Sequence, residues 1–140
     1  MKKILILSFL IFSLTASAQK SNVSWETDYF KVLQEARNTN KNIIVFFTDN
    51  STSKAQEEFF TSSEFSKDKS KYLYLKLFKA DIAPNQDHKN YTIRLSSVYN
   101  KDNVFPAVLV MDAFNTEKVP LLKSFDSKST KSFFQELNSL

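Results

Sequence analysis

The sequence predicts an α/β domain built on a mixed sheet of about four strands. Three observations carry this. Ile43–Phe47 is an unbroken β-branched and aromatic run, the pattern of a strand buried on both faces. Tyr72–Phe78 alternates, with Leu73, Leu75 and Leu77 on one side and Tyr72, Tyr74, Lys76 and Phe78 on the other. Segments of helical period separate these runs, giving the order α-β-α-β-α-β-β-α.

Taken in order, Tyr29, Val32, Leu33 and Ala36 fall at i, i+3, i+4 and i+7, so a helix is expected from Trp25 to Asn38. Ser24 and Thr27 are its candidate caps. The polar stretch 38–42 ends it, and the Ile43–Phe47 strand follows. Ser53 and Gln56 form a capping box for a helix reaching about Phe60, and Ser62 or Ser63 can start a further turn holding Phe65. The alternating strand Tyr72–Ala80 comes next, then a polar loop over 82–90. Tyr91, Leu95, Val98 and Tyr99 mark a short helix. Pro106 opens a third strand, Ala107–Met111; Asp112–Asn115 is a turn, and Val119–Phe125 a fourth strand. Phe133, Phe134, Leu137 and Leu140 line a final helix. The short turn makes the last two strands a hairpin, and helical crossovers make the first three parallel or mixed.

The ends and composition set further bounds. Lys2 and Lys3, the apolar run Ile4–Leu14 and the small residues Ala16-Ser17-Ala18 form a secretory leader, with cleavage expected after Ala18. Residues 19–140 then form a single domain, exported to the periplasm or beyond the cell. The apolar run is shorter than the roughly 20 residues a bilayer span needs, and no later segment is long and apolar enough either. Without Lys2 and Lys3 the chain carries 17 basic and 15 acidic side chains, in runs of at most two, so a nucleic-acid partner is not expected. There is no glycine, which excludes phosphate-cradling loops and assigns positive-φ turns to Asn or Asp. No cofactor is expected. There is no cysteine, so stability must come from packing, and thiol chemistry is excluded. A lone histidine without cysteine or a spaced carboxylate cluster leaves too few ligands for a metal.

The element order, with Trp25, Ala36, Lys41, the strand Ile43–Thr48, Phe59-Phe60, Ser63-Glu64-Phe65, Ala80-Asp81 and the stretch Val104–Asp112, resembles the thioredoxin-like superfamily, nearest to its exported bacterial members. The likeness covers nearly all of residues 19–140. It implies a three-layer α/β/α sandwich and a cis peptide bond before Pro106. In the family a C-x-x-C pair sits between the first core strand and the next helix, where the helix N-terminus stabilises a thiolate. Here that junction reads Thr48-Asp49-Asn50-Ser51-Thr52-Ser53-Lys54, and the family motif could fall on Asp49/Thr52 or on Ser51/Lys54. Neither pair is a catalytic equivalent. The carboxylate many members bury in this strand would fall near Phe46 and is missing.

The resemblance also implies that the face around the cis-proline can pair with an extended peptide. The residues assigned to it are Phe105, Pro106, Asp49, Asn50, Ser51 and Thr52, and the partner expected is an exported protein or peptide client. Phe105 is expected to be partly exposed beside the loop. Two other readings stand beside this one. The domain can be an accessory subunit that uses the fold as scaffold, with an apolar patch on its outer helices. It can also be a hydrolase using a His88–Ser51–Asp49 relay, although a surface His88 without a role is the simpler expectation. Trp25, Phe59, Phe60, Phe133 and Phe134 are read as core, and Asp81 as structural.

Overall fold

The computed structural model describes residues 23–140. The leader and its cut after Ala18 lie outside the described residues. The elements run α1 (Tyr29–Thr39), β1 (Asn42–Thr48), α2 (Lys54–Thr61), α3 (Ser63–Ser66), β2 (Tyr72–Phe78), α4 (Gln86–Tyr99), β3 (Ala107–Met111), β4 (Glu117–Leu122) and α5 (Ser127–Asn138). The four strands form one mixed sheet in the order β2-β1-β3-β4. β1 runs parallel to β2 and antiparallel to β3, and β3 and β4 form the hairpin.

Side-chain alternation along the strands creates two cores, one on each face. Ile43, Val45, Phe47, Leu75, Leu77, Leu109 and Met111 point to the side where α1 supplies Val32, Leu33 and Ala36 and α4 supplies Leu95. Ile44, Phe46, Tyr74, Val108 and Val110 point to the other, against Phe59 of α2, Phe65 of α3 and Phe133, Phe134 and Leu137 of α5. The architecture is therefore the expected three-layer sandwich. The second core is dense in rings: Phe59 stacks on Phe134 at 5.0 Å, and Trp25 lies 5.5 Å from Phe46 and 5.6 Å from Tyr74. Offset and edge-on pairs of this kind add about 0.5–1.5 kcal/mol each beyond burial.

Several boundaries differ from the sequence reading. The first helix starts at Tyr29, capped by the Asp28 side chain on the Lys31 N–H, and not by Ser24 or Thr27. Trp25–Thr27 is extended instead, because Glu26 bridges to β2: its N–H donates to the Tyr74 carbonyl and its carbonyl accepts from the Lys76 N–H. The stretch 82–90 is not all loop. Asn85 caps α4 through the His88 N–H, so the helix begins one polar turn earlier than expected. The fourth strand ends at Leu122, because Ser124 and Asp126 build the cap of α5. Leu140 lies beyond α5 and is 55% exposed, so it does not join the buried face. The Ser53 cap on the Gln56 N–H and the Ser62 cap on the Phe65 N–H form as expected, but the capping box does not close, since the buried Gln56 Oε1 has no hydrogen-bond partner among the described residues.

Four non-glycine residues hold positive φ: Asn40, Asn50, Asn103 and Asn115. Asparagine thus takes every left-handed position among the described residues, as a glycine-free chain requires.

Candidate functional site

The ends of β1 and β2 and the start of β3 meet at one end of the sheet, since Thr48 pairs with Phe78 and Phe47 with Ala107. Three segments leave from there: the loop Asp49–Ser53, the turn Lys79–Ile82 and the lead-in Val104–Pro106. The structure brings Asp49, Asn50, Ser51 and Thr52 to the same end as Phe105 and Pro106.

The loop after β1 satisfies itself. The Ser51 N–H and hydroxyl both donate to Asp49 Oδ1, and the Asn50 N–H donates to Thr48 Oγ1. The Ser51 hydroxyl, and after it the Ser51 N–H, hold the Asp49 carboxyl below its ordinary value. At the start of α2, Ser53 already caps the helix and Lys54 occupies the first helical position with its side chain 89% exposed. A cation there opposes the positive end of the helix dipole. The junction is therefore a closed polar turn, built unlike a site that stabilises an anion.

The Phe105–Pro106 bond is cis. Its setting is rigid. Fully buried Asn100 clamps Val104, accepting from its N–H at 3.0 Å and donating to its carbonyl at 2.8 Å. Ala107 is locked into β3 opposite Phe47. Between them, no hydrogen bond among the described residues uses the backbone N–H or carbonyl of Phe105. The Phe105 ring is half-buried, edge-on to Phe47 at 6.1 Å, and it forms one wall of a groove of ≈ 530 Å³. Lys79, Asp81, Ile93, Ser96 and Lys101 line the rest of it.

His88 corrects two expectations. It is 3% exposed, not a surface residue. Its Nε2 accepts from the Phe78 N–H at 2.8 Å, which places the ring proton on Nδ1, donated to the Thr27 carbonyl at 3.1 Å. Burial lowers its pKa, so it is neutral. With both nitrogens held by backbone, His88 has none to offer Ser51, and the His88–Ser51–Asp49 relay is not assembled. Thr92, one turn on, donates to the Phe78 carbonyl. The two side chains together complete the end of β2. Among the described residues no group of three His, Asp or Glu side chains could hold a metal ion. None of the described helices is long and apolar enough to cross a membrane.

The sequence reading missed Asn100, His88 and Thr92 as positioning residues, and Lys79 and Lys101 as groove residues. The Asn100-to-Val104 spacing, closing just before Phe105-Pro106, was the one local signal, since an Asn side chain can bond backbone on both its amide nitrogen and its oxygen.

No family model and no curated protein matches the chain. Among solved structures it is similar to a DsbH oxidoreductase at 19% identity, with a TM-score of 0.66 over 84% of this chain and 83% of that one. The match and the strand order together show a thioredoxin-like α/β fold, carried here by a chain that has no cysteine.

Proposed function

We propose that this chain is an exported, redox-inert binding module that holds extended polypeptide segments of other exported proteins. It uses Phe105 and Pro106, flanked by the Asp49–Thr52 loop. The observation that carries this reading is the unpaired backbone of Phe105, fixed between Asn100-clamped Val104 and the first residue of β3. An extended peptide can take both groups as an added strand would, at little ordering cost to the protein. The groove beside Phe105 offers room for a side chain. Thiol exchange needs a thiol, and the sequence has none.

The test is a titration of residues 19–140 with an unfolded exported protein and with extended peptides, read by amide shifts. Binding moves Asp49–Thr52 and Val104–Ala107, and Pro106→Ala weakens it. No shift, or shifts confined to the outer helices, sinks this reading.

A second reading has its own observation. Phe30 of α1 and Val98 of α4 are 59% and 56% exposed, and Phe30 packs edge-on against Tyr91 at 4.9 Å. Exposed apolar residues on the outer helices are what an accessory subunit using the fold as scaffold would show. Shifts confined to Phe30, Tyr91 and Val98 would favour it.

A further inference from the structure

The groove beside Phe105 has a composition that selects among peptides. Its apolar surface comes from Ile93, 51% exposed on α4, and from the half-buried Phe105 ring. Lys79 and Lys101 line it as well, and neither makes an ion pair among the described residues. Asp81 is the opposing charge in the groove, and Asp49 faces Lys79 from the neighbouring loop. Lys101 is left as the cation with no carboxylate assigned to it. Asp102 beside it in sequence is engaged by Lys123 at 2.5 Å.

We infer that the groove takes an extended peptide segment in which an apolar side chain is followed by an acidic one. The inference rests on the peptide-binding reading above. The peptide backbone pairs with Phe105, its apolar side chain lies over Ile93 and the Phe105 ring, and its carboxylate meets Lys101. Opposite charges at a solvated rim chiefly set selectivity and its salt dependence.

The test uses three peptides of about ten residues that differ at one position, Glu, Gln or Lys, beside a fixed apolar residue. Affinity for residues 19–140 is read by fluorescence anisotropy and the location by amide shifts. The Glu peptide binds about 5–10-fold tighter than the Lys peptide at low salt, and the gap closes by roughly 0.5 M salt. Lys101→Glu reverses the order of the two. Equal binding of all three peptides, with shifts at Phe105, overturns the acidic preference and leaves the peptide-binding reading standing. Shifts at Phe105 that leave Ile93 and Lys101 unmoved overturn the assignment to this groove. Absence of binding by every peptide overturns both.

Discussion

Replacing His88 with Leu keeps most of the buried volume and removes both ring nitrogens. The Phe78 N–H then has no acceptor at the end of β2, and the Thr27 carbonyl loses its donor. Thr27 is exposed, so water can replace that bond; Phe78 is half-buried and its N–H is not so easily rehydrated. One buried unsatisfied donor costs about 1–3 kcal/mol, so about 2 kcal/mol is the expected loss. With an unfolding entropy of about 2.1 cal/mol/K per residue over the domain, that lowers Tm by roughly 8 °C. The variant also changes the pH response. Burial sets the folded pKa of His88 below its ordinary value of about 6.5, so the unfolded chain binds the proton more readily. Stability from this group is fully present above the unfolded pKa and is lost as pH falls through it toward the folded value. Thermal unfolding followed by circular dichroism at several pH values between about 7.5 and 5.5, above the carboxylate range, isolates it. Wild type loses stability across that window and His88→Leu is flat. A variant Tm within about 2 °C of wild type, or an equal slope in the two proteins, would refute the account of His88 as a neutral backbone clamp.

Asn100→Ala removes both clamps on half-buried Val104 and leaves its N–H and carbonyl unpaired. Chemical denaturation should show a loss of about 2–4 kcal/mol, and peptide affinity should fall with it. Asn40 caps α1 at φ 54, so Asn40→Ala should cost about 1 kcal/mol while Asn40→Gly is neutral or better, as paired denaturation curves will show. Ser51→Ala deletes the first of the bonds that depress Asp49. The Asp49 carboxyl should then titrate closer to its ordinary value, read from the side-chain carbonyl carbon by NMR, with little change in stability.

The parts of this fold legible in the sequence are those whose cause is local. Ile43–Phe47 could only be a two-faced strand, and Ser53 was recognisable as the cap of the next helix. The absence of glycine told in advance that Asn or Asp would hold the left-handed turns, and asparagine holds all four among the described residues. What could not be read depends on partners distant in sequence. Trp25 matches a helical period by spacing, but Glu26 spends its backbone on β2, 48 to 50 residues away. His88 sits among polar neighbours that suggest a solvated loop, and its burial follows from the packing of α4 onto β2. The proline and the loop were found at the expected end of the sheet. The groove beside them was not foreseen, because Lys79, Ile93 and Lys101 come together only through the turn after β2 and the packing of α4.

The treatment of the outer strands has a consequence for the peptide-holding role proposed above. Along β2, Glu26 takes the Tyr74 carbonyl and the Lys76 N–H, and His88 and Thr92 take both backbone groups of Phe78. Along β4, Pro120 interrupts the outer row, and the register against β3 is irregular. Neither flank is a clean template for another strand. On that proposed role, a client caught at the cis-proline end could not easily zip along the sheet, and copies of the domain cannot easily stack edge to edge. Such a holder can work in a crowd of sticky, half-folded chains without seeding their assembly into fibres.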